Sequence, residues 1–93
     1  MSIQVIKMSN GEEIIAKVSS GDKGYIVATQ ARSVRMMPDG KGGAQLGLIP
    51  FVILNPDGSI PLNENLIVGR APATNEVEKL YLSEVSGIQL SIS

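Results

Sequence analysis

Clusters of turn-forming residues divide the chain into short segments in which apolar and polar positions alternate. Glycine, proline, asparagine, aspartate and serine gather at residues 9–11, 20–24, 38–43 and 55–58, and such clusters are typical of turns. The segments with strand character between them are residues 3–8, 13–18, 25–28, 33–37, 44–54 and 65–70. Short strands separated by turns at this spacing predict a meander of antiparallel strands and a mainly all-β fold.

The alternation in the second segment predicts which face of the sheet is buried. Successive side chains of a strand point to opposite faces. One face of residues 13–18 therefore carries Ile14, Ala16 and Val18, and the other carries Glu13, Ile15 and Lys17. We expect the purely apolar row to face the core.

The C-terminal region has the periodicity of a helix. Asn75 is a suitable N-cap, and Glu78 three residues later completes an approximate capping box. Gly87 offers a C-cap after apolar positions that recur at helical spacing, namely Val77, Leu80, Tyr81 and Val85. Residues 88–92 then alternate between apolar and polar, which predicts a last short strand.

A chain of 93 residues has room for one core, so residues 1–93 are predicted to form a single domain. Apolar residues make up 43% of the chain, and only Tyr25, Phe51 and Tyr81 among them are aromatic. The core is therefore predicted to be aliphatic. A thin aliphatic core in a short chain favours oligomerisation.

The residue types that most enzymes use are missing. The sequence contains neither histidine nor cysteine, which removes the usual general base, the usual soft metal ligands and most nucleophilic triads. Glu12 and Glu13 are adjacent on a strand and point to opposite faces, so they cannot act as an acid/base pair. We therefore expect no enzymatic activity, no metal and no cofactor.

The sequence has no apolar run long enough for a membrane span, so we expect a cytoplasmic protein that does not enter a membrane.

Residues 10–26 carry a recognisable motif. Asn10 and Gly11 close the first hairpin, Ala16 and Val18 follow in the second strand, and Asp22 opens the next loop. This stretch resembles the first motif of the Sm/LSm superfamily, with the closest similarity to the bacterial Hfq branch. The run Ile67-Val68-Gly69-Arg70 resembles a transposed form of the second motif, and segments 11–18 and 47–51 resemble short Sm-like proteins of phage and marine-metagenome type.

The resemblance implies a small, strongly bent β-barrel, here with a C-terminal helix, whose edge strands pair between subunits. We expect a homo-oligomeric ring of about five to seven copies. The implied activity is binding of single-stranded RNA, in the host cytoplasm if a phage encodes the chain, with a role in post-transcriptional or translational regulation. The expected RNA-binding residues are Asp22, Lys23, Tyr25, Gly69 and Arg70. Lys23 and Arg70 would contact phosphates, and Tyr25 would stack on a base.

Two alternatives remain at this point. A second basic cluster, formed by Arg32, Arg35 and Lys41, is a different candidate surface for nucleic acid. The net charge of −1 favours an adaptor ring that binds a protein. Such a protein would contact either segment 49–54 or the acidic side of the helix, which carries Glu76, Glu78 and Glu84.

Overall fold

The computed structural model describes residues 1–86, which form a mainly antiparallel β fold with one helix after the strands. In chain order the elements are β1 (Ser2–Met8), β2 (Glu13–Ser20), β3 (Tyr25–Pro38), β4 (Ala44–Pro50), β5 (Ser59–Asn63), a 3₁₀ turn (Glu64–Leu66), β6 (Ile67–Pro72) and α1 (Asn75–Val85). The fold class expected from the sequence is therefore confirmed.

The strands form one sheet in the order β4-β3-β2-β1-β6, and β5 also pairs with β3. The first half of β3 pairs with β5, where Ala28 lies opposite Ile60. The second half pairs with β4, where Val34 lies opposite Leu48. Register shifts interrupt the β2–β3 and β1–β6 ladders, and such irregularities bend strands and increase their twist. A sheet of this kind is consistent with a small bent barrel.

The core lies on the face of the sheet that the alternation predicted. Ile14, Ala16 and Val18 of β2 are all buried. They pack in one cluster with apolar side chains from β1, β3 and β5, namely Ile6, Met8, Ile26, Ala28, Ala31 and Leu62. These side chains are aliphatic, as the composition predicted, and they pack well on a pleated surface.

Helix α1 packs against the opposite face of the sheet. Ile15 points to that face and is nevertheless fully buried. Its cross-strand partner Arg32 lies close to the helix, with Nε 3.6 Å from Oε2 of Glu84. Tyr81 of the helix is also fully buried, and its hydroxyl donates a 2.8 Å hydrogen bond to the carbonyl of Gln30. The face of β2 that looked mixed in the sequence therefore carries a second buried region.

The helix begins one residue earlier than the sequence predicted from its cap. Thr74 is the N-cap, and its Oγ1 accepts a 3.4 Å hydrogen bond from the Val77 N–H, so Asn75 is the first helical residue. The predicted C-cap Gly87 and the predicted strand at 88–92 lie outside the described residues. Within residues 1–86, no helix has both the length and the apolar character that crossing a membrane requires.

The strand boundaries differ from the predicted ones in the middle of the chain. The predicted strands 25–28 and 33–37 are parts of the single strand β3, whose pairing with β2 continues on both sides of a register shift. The predicted strand 44–54 is too long, since β4 ends at Pro50 and residues 51–58 form turns. Strand β5 was missed because its apolar positions are few and Pro61 disfavours a strand assignment.

Candidate functional site

An open groove with a volume of about 720 Å³ lies where the β2–β3 loop meets the first residues of β1 and the middle of β6. Its lining is mainly polar and includes Ser2, Gln4, Ser20, Asp22, Tyr25, Glu64 and Arg70. The groove therefore combines one aromatic ring, one guanidinium and two carboxylates with several neutral hydrogen-bonding groups.

Backbone hydrogen bonds hold the β2–β3 loop against the 3₁₀ turn. The Tyr25 N–H donates to the Asp22 carbonyl at 2.8 Å, and the Glu64 N–H donates to the Gly24 carbonyl at 2.8 Å. Gly24 has a φ of +83°, which favours glycine. A Cβ on Gly21 would lie 3.0 Å from the Tyr25 carbonyl oxygen, so any larger residue here would need the Tyr25 backbone to shift by a few tenths of an ångström. The loop thereby places Tyr25, whose side chain is 41% exposed, at the rim of the groove.

Strand β6 contributes Arg70 to the same groove. Arg70 lies opposite Ile6 in the β1–β6 ladder, and Pro72 lies opposite Gln4, so Arg70 and Gln4 share one face of the sheet. Among residues 1–86, no carboxylate lies within 4.0 Å of the Arg70 guanidinium. The guanidinium is therefore available for an anionic group of a ligand, although Asp22 and Glu64 make the groove mixed in charge.

The structure brings together three of the five residues that the sequence nominated. Asp22, Tyr25 and Arg70 line the groove, whereas Lys23 lies in the exposed loop beside it and Gly69 pairs with Lys7 in the β1–β6 ladder.

The sequence analysis did not nominate Gln4 or Glu64, which also line the groove. Period-two alternation on β1 places Ser2 and Gln4 on the face of Ile6, so this signal was present in the sequence. Glu64 carried no such signal, because its position depends on the 3₁₀ turn.

The second basic cluster predicted from Arg32, Arg35 and Lys41 does not form, and this prediction is wrong. Arg32 is only 5% exposed. Its guanidinium donates to the Pro56 carbonyl at 2.6 Å and to Oδ1 of Asp57 at 2.9 Å. A buried guanidinium with these partners cannot contact phosphates. No local pattern indicated this burial, because Pro56 and Asp57 lie more than twenty positions away from Arg32 along the chain.

The Arg32 network positions the loop of residues 51–58 between β4 and β5. Hydrogen bonds from the side chains of Arg32 and then Gln30 lower the pKa of Asp57 below its ordinary value. The carboxylate therefore stays ionised to more acidic pH than usual. While the base of the loop is held in this way, its tip exposes Ile53 and Leu54, at 79% and 96% respectively.

Within residues 1–86, no group of three or more carboxylates is arranged to hold a metal ion. A scan against protein-family models finds none that matches this chain, and a search of curated proteins finds no similar sequence.

Proposed function

We propose that this chain is an Sm-like protein that binds single-stranded RNA as a homo-oligomeric ring and acts in post-transcriptional or translational regulation. The observation that carries the proposal is that Tyr25 and Arg70, which are 45 positions apart in the sequence, line one groove together with Asp22. The motif at residues 10–26 and the bent antiparallel sheet also support it.

Each groove residue has a role that suits an unpaired nucleotide. The exposed ring of Tyr25 offers a stacking surface, which every base accepts. The Arg70 guanidinium supplies charge-assisted hydrogen bonds to a phosphate. The Asp22 carboxylate accepts hydrogen bonds from the exocyclic amino group of a base, while Ser20 and Gln4 supply neutral donors and acceptors.

A chain with a net charge of −1 binds RNA only if its cations are concentrated in space. A ring repeats Arg70 and the neighbouring Lys23 once per subunit, and these charges add where their separation is near the Debye length of about 10 Å at 0.1 M salt. Because Asp22 and Glu64 oppose them, we expect moderate affinity that falls steeply as salt increases.

The test is a fluorescence anisotropy titration of uridine-rich and adenosine-rich oligomers at two salt concentrations. Arg70→Gln and Lys23→Gln should weaken binding and reduce the salt slope by about 0.7 for each phosphate that the protein no longer neutralises. Tyr25→Ala should cost about 1 to 3 kcal/mol per stacked base while leaving the salt slope unchanged. Lys41→Gln, at the tip of the β3–β4 hairpin, removes the same charge away from the groove and serves as the control.

Absence of binding by the wild type at low salt would contradict the proposal. Affinities that respond equally to Lys41→Gln and Arg70→Gln would also contradict it, because binding would then depend on overall charge and not on the groove.

A second candidate function is an adaptor ring that binds a protein, and the tip of the 51–58 loop favours it. Ile53 and Leu54 form an exposed apolar pair, which marks a contact site more often than an isolated apolar residue does. If the wild type does not bind RNA, the adaptor function becomes the better proposal, and the double change Ile53→Ser with Leu54→Ser should then abolish partner binding without changing the fold.

A further inference from the structure

The charged groups of the groove differ in the hydrogen bonds that they can make. The carboxylates of Asp22 and Glu64 only accept hydrogen bonds, and the guanidinium of Arg70 only donates them. Among residues 1–86, no lysine or arginine nitrogen lies within 4.0 Å of either carboxylate. Both carboxylates are therefore open to hydrogen-bond donors of a ligand.

A tight turn holds Asp22 beside the aromatic ring of the groove. The Tyr25 N–H donates to the Asp22 carbonyl at 2.8 Å, so residues 22–25 form a β-turn that begins at Asp22 and ends at Tyr25. Gly24, at the third position, has the positive φ of +83° that a type II turn requires. The Cα atoms at the two ends of a β-turn lie less than about 7 Å apart. A base that stacks on Tyr25 therefore has its edge within reach of the Asp22 carboxylate.

The second carboxylate reaches the groove from a different part of the chain. Asn63 lies opposite Tyr25 in the β3–β5 ladder, and the N–H of the next residue, Glu64, donates to the Gly24 carbonyl at 2.8 Å. A glutamate side chain is longer than an aspartate side chain and loses more rotamer freedom when it is fixed. Asp22, which is shorter and belongs to the same turn as the ring, is therefore the better placed acceptor for a stacked base.

The four RNA bases differ in the donors that they can offer to a carboxylate. The Watson–Crick edge of guanine carries two neighbouring donors, N1–H and the 2-amino group, which match the two oxygens of one carboxylate. Adenine and cytosine each carry one amino group next to a ring nitrogen that only accepts, and uracil carries one N–H between two carbonyl oxygens. Only guanine can therefore donate two hydrogen bonds to a carboxylate without placing an acceptor against it.

We propose that the groove selects guanine, and that Asp22 accepts hydrogen bonds from N1–H and the 2-amino group of a guanine stacked on Tyr25. The inference rests on the proposed function, because it specifies which base occupies the groove that binds RNA. A contact of this kind is bidentate and charge-assisted, which makes it strong and directional. Arg70 donates to a phosphate of the same RNA, so the cation of the groove and its carboxylate have separate roles.

The same groove disfavours uracil. A uracil that donates its single N–H to Asp22 places a carbonyl oxygen close to the second carboxylate oxygen, and neither of these acceptors then has a donor. A polar group that loses its water without gaining a partner costs the full desolvation penalty. Because a bidentate contact discriminates between bases by this means, we expect guanine to bind about 5- to 150-fold more tightly than uracil.

Labelled RNA octamers that alternate uridine with one tested nucleotide measure this preference by fluorescence anisotropy. Guanosine and inosine are the decisive pair, because they differ only in the 2-amino group. The wild type should bind the guanosine octamer more tightly than the inosine octamer, and the all-uridine octamer more weakly than both. The ratio of the guanosine and inosine affinities should be the same at two salt concentrations, since the amino group is uncharged and releases no counterions.

Asp22→Asn tests the assigned residue. An amide has one acceptor and one donor group, so it matches the N–H and the adjacent carbonyl of uracil and no longer matches the two donors of guanine. The variant should therefore bind the uridine octamer more tightly than the guanosine octamer. Glu64→Gln is the matched control, because it removes the same charge from the same groove, and it should keep the preference for guanosine. Circular dichroism should show the same β content in all three proteins.

The comparison of guanosine with inosine needs only the wild type, so it decides the question even if Asp22→Asn does not fold. Equal affinities for these two octamers would overturn the guanine contact while leaving RNA binding intact. A preference that is lost in Glu64→Gln and kept in Asp22→Asn would overturn the assignment of Asp22. A wild type that binds none of the octamers at low salt would instead refute the proposed function itself.

Discussion

The buried hydroxyl of Tyr81 gives a prediction that combines stability with pH. Tyr81 is fully buried, and its hydroxyl donates to the carbonyls of Gln30 at 2.8 Å and Thr29 at 3.2 Å. Tyr81→Phe keeps the ring and removes the hydrogen bonds. A net hydrogen bond contributes about 0.5 to 1.5 kcal/mol, and the carbonyls left without a donor add to the loss. We expect the variant to be less stable by about 1 to 2 kcal/mol at neutral pH.

The difference should change sign at high pH. Burial raises the pKa of Tyr81 to about 12, against an ordinary value of 10 in the unfolded chain. Between pH 10 and pH 12 the unfolded chain therefore loses its proton while the folded chain keeps it. This difference corresponds to at most about 2.7 kcal/mol of stability that is present below pH 10 and lost as the pH rises to 12. Tyr81→Phe has no such proton, so it should become the more stable protein near pH 12.

Urea unfolding followed by far-ultraviolet circular dichroism measures this difference at pH 7, 9, 10.5 and 11.5. Both proteins must be compared at equal chain concentration, because association adds to the apparent stability. Tyr25→Phe is the matched control for the loss of a tyrosine hydroxyl, since Tyr25 is 41% exposed, and at pH 7 its free energy of unfolding should differ from that of the wild type by less than about 0.5 kcal/mol. A difference between wild type and Tyr81→Phe that stays constant from pH 7 to pH 11.5 would refute the reasoning.

Two further changes test the internal contacts, each by urea unfolding. Arg32→Met removes the buried guanidinium and should destabilise the fold by about 2 to 4 kcal/mol. The control is Arg35→Met, which should change stability by less than about 0.5 kcal/mol because the Arg35 side chain is 47% exposed. Equal losses of stability in the two variants would contradict the role of the Arg32 network. Gly21→Ala brings a Cβ to 3.0 Å from the Tyr25 carbonyl oxygen and should lower the free energy of unfolding by about 1 to 3 kcal/mol. Gly69→Ala is the control and should leave stability unchanged, because the added Cβ meets no atom within 4 Å. Unchanged stability in Gly21→Ala would show that the loop adapts freely.

The predictable parts of the fold were those in which local pattern and burial agree. The alternation of Ile14, Ala16 and Val18 identified the core face, and the apolar spacing around Tyr81 identified the helix. Both signals come from residues close together in sequence. The second buried face was not predictable, because it depends on Tyr81 and Glu84 of a helix that begins sixty positions after the buried Ile15.

The candidate site was also only partly predictable, because some of its residues lie close together in the sequence and others do not. The resemblance at residues 10–26 nominated Asp22 and Tyr25, and the weaker resemblance at residues 67–70 nominated Arg70 on a distant strand. Only the pairing of β6 with β1 brings Arg70 to the groove. The burial of Arg32, in contrast, was not predictable from the sequence. A cation in a polar stretch looks solvated, and only the fold shows that a carbonyl and two carboxylates surround it.

The position of Arg32 connects the internal network with the change of partner strand along β3. Arg32 lies at the place in β3 where pairing changes from β5 to β4, shortly after Gln30, whose φ of 54° bends the chain. Its bonds to Pro56 and Asp57 hold the loop that separates β4 from β5. The loop therefore divides the β3 side of the sheet into two separate strands, β4 and β5. The buried Arg32 therefore connects three parts of the fold that lie far apart in the sequence, namely the middle of β3, the 51–58 loop and α1.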